Sequence, residues 1–142
     1  SVVALATFIP MLMDTGGNAG SQASTVVIRG LVLGEISVRD VLKVVWKEAR
    51  IAFIAGVLLA IINFIRVYTI QGYSLPVSLT VSVTIVLTVV VAKIVGGILP
   101  IIAQKLRLDP AMMASPLITT IVDTTTLTIY FALAVWIIGI TV

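Results

Sequence analysis

The chain has 142 residues, of which 60% are hydrophobic and 11% charged, with a net charge of +3 and a mean hydropathy of +1.24. So small a polar fraction excludes the water-soluble classes and points to an integral membrane protein. Cysteine and histidine are both absent, which excludes disulfide frameworks, thiolate chemistry and zinc sites built on sulfur or imidazole.

Four stretches are long enough to cross a hydrocarbon core of ~30 Å, which takes ~20 helical residues. Span A runs from Val2 to Leu33, span B from Glu48 to Val67, span C from Leu75 to Ala103 and span D from Ala111 to Val142. The fold class is therefore all-α and integral to the membrane, a polytopic helical bundle of about four transmembrane helices. Ser37 is a plausible N-cap for a helix over Val38 to Arg50 that leads into span B, with Trp46 at headgroup level. Lys93, Gly96, Gly97 and Pro100 suggest a break in span C.

The connections give an orientation. Arg29, Arg39, Lys43, Lys47 and Arg50 flank the A–B connection, and Lys105 and Arg107 the C–D connection, whereas only Arg66 lies near the B–C connection at Gln71 to Ser74. This bias places the A–B and C–D loops in the cytoplasm and both termini outside the plasma membrane. An outward N-terminus at Ser1 with no signal peptide predicts an earlier span, so 1–142 is read as a single pore domain from a longer protein.

The chemistry sits in polar residues inside the spans. Asp14, Gly17, Asn18, Ser21, Gln22 and Thr25 follow a helical series and form one polar stripe, while Leu12, Ala19, Ala23 and Val26 are left to meet lipid or other helices. Span D carries Thr119, Thr120, Asp123, Thr124 and Thr126, with Thr119, Asp123 and Thr126 roughly aligned, and Pro116 removes an amide donor from the carbonyl near Met112. Asp14 and Asp123 each lie about 12 residues, or ~18 Å, into their spans, near the midplane. A carboxylate at that depth usually belongs to an ion path or proton relay.

Bland readings stand beside these. Gly17, Ser21 and Thr25 form a small-xxx-small series that could serve close packing, and the span D threonines could bond back to their own helix. Ser78, Ser82, Thr84 and Thr88 of span C are read as packing polar groups.

With no sulfur or imidazole, a cation must be held through oxygen, which suits magnesium or calcium. If two copies met on a two-fold axis, their Asp123 side chains would face each other, and one dication would neutralise both. Magnesium dehydrates reluctantly, so such a site would hold it through its water shell. A proton- or sodium-coupled transporter using Asp123 as carrier is the alternative. An aspartyl membrane protease would need its glycine-x-glycine-aspartate signature, and Asp123 instead sits in Ile-Val-Asp-Thr. The chain is accordingly read as a non-enzyme, and nothing in it signals nucleic-acid binding.

Two segments resemble a known family. PMLMDTGGNAGSQA, from Pro10 to Ala23, resembles the second transmembrane helix of MgtE magnesium channels. DPAMMASPLITTIVD, from Asp109 to Asp123, resembles the start and centre of their fifth. The resemblance covers essentially the whole chain, as helices two to five, and implies a homodimer in the lipid bilayer with a magnesium-conducting pore on the two-fold axis. It implies Asp123 as the central pore carboxylate with the backbone near Thr119 beside it. It implies Asp109 as a carboxylate at the cytoplasmic mouth used in magnesium-sensitive gating. Gly17, Asn18 and Ser21 fall where the second helix approaches the pore, and Asp14 stands where some members carry glycine. The family's first transmembrane helix, cytosolic N-domain, paired CBS domains and plug helix have no counterpart in 1–142.

Overall fold

A computed structural model describes residues 2–139, leaving aside the side chains of residues 2 and 113–115. The described residues form α1 (Val2–Ala6), α2 (Ile9–Val32), α3 (Val41–Ile65), α4 (Leu75–Lys105) and α5 (Pro110–Ile138). A 3-10 turn, Val38–Asp40, leads into α3, and a π-helical turn, Arg66–Ile70, extends it. The end of span D at residues 140–142 and the side chains of Met113, Ala114 and Ser115 in the second motif lie outside the described residues.

Three helical stretches are long and apolar enough to cross a membrane: Val38–Ile70, Leu75–Lys105 and Pro116–Ile138. The fourth expected span, α2, has 24 residues and so reaches ~36 Å, but its polar stripe lowers its hydropathy. It is a helix that needs protein or water along one face.

Span A is not one helix. α1 stops at Ala6, where Thr7 Oγ1 donates to the Ala4 carbonyl at 2.7 Å, and α2 restarts with Pro10 in its first turn, where the missing N–H does no harm. The corner is pinned by a buried Tyr130, whose hydroxyl donates to the Leu5 carbonyl at 2.9 Å, and by Phe8 set edge-on to Tyr73. α2 ends on Gly34 at φ +73°, and the Gly30 carbonyl collects the amides of Glu35 and Ile36. Ser37 starts the next element as expected: Asp40 Oδ2 accepts from both its amide (2.9 Å) and its hydroxyl (2.7 Å).

α4 is the hub, packed against α2, α3 and α5, while α2 also packs on α5. Its core face, Val81, Ile85, Val89 and Ala92, is almost wholly buried. Lipid tails are as apolar as these side chains, so inside a bilayer close packing rather than water exclusion holds the helices together. Small residues decide it. Gly96 and Gly20 meet backbone to backbone, and a Cβ on Gly16 would strike Val122 and Thr88.

The expected break in span C does not occur: α4 runs unbroken through Gly96, Gly97 and Pro100. The two glycines are there for approach, Gly96 to α2 and Gly97 to Val44 and Glu48 of α3. Among the span C polar groups, Ser78 and Thr84 bond back to the carbonyls of Ser74 and Thr80, and Ser82 and Thr88 are buried with no hydrogen-bond partner. All four are packed inside the bundle, as expected of them.

Candidate ion pathway

The glycine contacts fix how the two motif helices lie. Gly16 faces Val122 and Gly20 faces Ile118, so α2 and α5 run antiparallel in one seam. Continuing that register brings Asp14 to the depth of Asp123 within about two residues, or ~3 Å. Gly17 adjoins Thr119, with 3.9 Å between the Thr119 methyl and the point where a Cβ would stand. The seam therefore joins the two motifs, as their similar depths suggested.

The expected stripe on α2 is real and outward. Asp14, Asn18, Gln22 and Thr25 are exposed, with Gly17 and Ser21 half-buried beside them. Leu12, Ala19 and Ala23 turn inward against other helices, and Val26 is exposed. The close-packing series is Gly16 and Gly20, one residue round from the Gly17, Ser21 and Thr25 series considered for that role. Asn18 Nδ2 donates to Asp14 Oδ2 at 3.1 Å, fixing the carboxylate on its own helix.

On α5, Asp123 and Thr119 are half-buried at the edge of the seam, whereas Thr126 is 1% exposed and turns in toward Gly16. Thr126 is thus not aligned with Asp123 along an open face. The remaining threonines bond backwards: Thr119 and Thr120 to the Pro116 carbonyl at 3.0 and 2.9 Å, Thr124 to Thr120 at 2.8 Å, Thr128 to Thr124 at 2.8 Å. The protons of Thr120 and Thr124 are committed to the helix, so these hydroxyls meet water as acceptors. Asp109 is the N-cap of α5 and accepts from the Ala111 amide at 2.9 Å. Fourteen residues, or ~21 Å, separate it from Asp123, so these two carboxylates belong to different levels.

Part of the α2 stripe looks elsewhere. Asp14, Asn18 and Gln22 line a pocket of 240 Å³ shared with Ala55, Leu59, Val89 and Lys93. Lys93 and Glu48 are both buried and form an ion pair at 3.6 Å between α4 and α3. Sequence reasoning missed this pair. Lys93 stands alone in an apolar run and Glu48 sits between Lys47 and Arg50, 45 positions away, so only the α3–α4 packing joins them. Among the described residues, no three acidic side chains converge into a metal cage.

A family model described as "Divalent cation transporter", that of MgtE, matches residues 9–133. The chain belongs to the MgtE family. It is 37% identical over 133 residues to a magnesium transporter MgtE of Bacillus subtilis, 94% of this chain and 29% of that protein. It is also 37% identical over 134 residues to one of Thermus thermophilus, with the same coverage. Against one of Enterococcus faecalis it is 30% identical over 130 residues, 92% of this chain and 28% of the other. The chain spans less than a third of the length of these curated MgtE relatives. The matched residues include both motifs and the whole α2–α5 seam.

Proposed function

We propose that this chain is the conducting unit of a magnesium channel that works as a homodimer, with the α2 stripe and the Asp123 edge of α5 turned toward a shared two-fold axis. The observation that carries this reading is the meeting of the two motif helices in one seam, with the acidic and amide side chains of α2 at the depth of Asp123. Its relatives' names as magnesium transporters support the choice of ion. The oxygen-only chemistry of the stripe supports it too.

Among the described residues of one chain, Asp123 joins no group of three acidic side chains that could cage a dehydrated dication. Two copies would offer a pair of carboxylates whose mutual repulsion a dication relieves. Magnesium keeps its inner water because dehydration is costly, so Asp123 takes the water shell rather than the bare ion. The back-bonded hydroxyls of Thr120 and Thr124 accept from that water beside the Thr119 backbone, and Gly17, Asn18 and Ser21 leave room and polar contacts along α2. Contacts of this kind are several and weak, which lets the ion move on. Asp14, tied to Asn18 and lining a pocket with Lys93, acts as a secondary attraction beside the main site at the same depth.

The basic A–B and C–D connections face the cytoplasm in this reading, and the C-terminus faces outward. Asp109 then stands at the inner mouth of the path. Because it also caps α5, cation binding there would act on the helix that carries Asp123.

The test is magnesium uptake into proteoliposomes with and without proton and sodium gradients. A channel gives the same initial rate in both, saturating only with magnesium. A rate that follows either gradient would replace the channel with a coupled carrier.

A further inference from the structure

Arg66 is half-buried at the start of the π-helical turn and has no carboxylate partner, for the ion pairs among the described residues are Lys43–Asp40 and Lys93–Glu48. Its guanidinium is nevertheless held in place. Nη2 donates to Asn63 Oδ1 at 2.7 Å and to Met11 Sδ at 3.1 Å. A guanidinium has five N–H donors, so the fork keeps others for an outside acceptor. Asn63 is buried and its own Nδ2 has no acceptor. That is a loss normally avoided in a protein interior, tolerated here while the amide oxygen orients Arg66.

The guanidinium heads an open groove of 340 Å³ whose walls, from α2, α3 and α4, include Met11, Leu59, Ile62 and Ile85. Leu59 and Ile62 are exposed along it. Arg66 lies four residues before the end of the helical stretch at Ile70, ~6 Å along the axis, which is headgroup depth for a helix of this length. A lone cation at that depth is stabilised by reaching an interfacial anion.

We propose that this groove seats an anionic glycerophospholipid, its phosphate on Arg66 and an acyl chain along Met11, Leu59, Ile62 and Ile85. Charge complementarity selects the headgroup and the apolar wall selects the chain. A free phosphate would use Arg66 and ignore the groove. A second copy of this chain would bury the groove and need no lipid.

Native mass spectrometry of the protein from micelles holding equal amounts of phosphatidylglycerol and phosphatidylcholine with matched acyl chains tests this. Wild type retains phosphatidylglycerol with a preference of about tenfold, as a charge-assisted contact gives. Arg66→Gln brings the two lipids to near parity. Asn63→Asp does the same while keeping the site's shape, because it supplies Arg66 with an internal counter-ion and so cannot be dismissed as misfolding. An unchanged preference in folded Asn63→Asp overturns the proposal. So does displacement of the lipid by inorganic phosphate, which would make this an anion site without a chain. Loss of the dimer mass in Arg66→Gln with lipid retention intact also overturns it, by assigning the groove to a second copy. None of these outcomes depends on magnesium transport.

Discussion

Glu48 and Lys93 are the charges most deeply enclosed by the bundle, and their removal one at a time should be felt most. Lys93→Met leaves a carboxylate buried without its partner and is expected to lower stability by ~3–5 kcal/mol, whereas Glu48→Gln with Lys93→Met should recover most of that loss. Thermal unfolding of the detergent-solubilised protein distinguishes the two, and a double variant as unstable as the single would show that the pair is not a unit. Asp109 has a separate, measurable role as N-cap: Asp109→Ala should cost about 1 kcal/mol by the same assay. If it also gates, that variant alters the magnesium dependence of flux more than the maximal rate, and an unchanged dependence would leave it a cap alone. Single residues were legible where local pattern decides, as with Ser37 bonding Asp40 three positions on. Glu48 and Lys93 were not legible as partners, since no helical spacing links residues on two different helices.

At the scale of elements, the register of α2 against its neighbours rests on Gly16, Gly20 and Gly96. A methyl added at Gly96 meets the backbone of Gly20, which cannot turn aside, so Gly96→Ala should destabilise by ~1–3 kcal/mol. Gly17 has only an ordinary contact at 3.9 Å, so Gly17→Ala should be neutral or slightly stabilising through helix propensity. Equal effects of the two substitutions on thermal stability would mean that the seam lies on another face of α2. Helix existence was readable from the apolar runs, and the bounds of α4 came within two residues of span C. What failed was inference from small and kinking residues. Gly96, Gly97 and Pro100 carry the same letters whether they interrupt a helix or let a neighbour approach, and Pro100 sits inside α4 despite losing one amide donor and crowding the Gly96 carbonyl one turn earlier. Likewise Gly16 and Gly17 look interchangeable in the sequence, and the 100° between them decides which one packs and which one borders the polar stripe.

For the whole molecule, α4 sits at the centre and leaves α2 with an exposed polar face, one edge of which borders the pocket toward α3. In a bilayer such a face calls for water or another polar surface. That need supports the proposed two-fold axis with the Asp123 edge of α5. The membrane class followed from composition, and the motif pair was visible as a resemblance. Side-chain facing was not, because it depends on the α2–α5 seam, which joins residues about 100 positions apart. The most direct test of the central claim is magnesium flux into proteoliposomes by the protein and its Asp123→Asn form, with dimer content checked alongside. Asparagine keeps the size and removes the charge, so flux should fall at least tenfold, of the order expected when a charge-assisted contact to the ion's water shell is lost. Equal flux from a variant that is still dimeric would contradict the account and move the ion site away from Asp123.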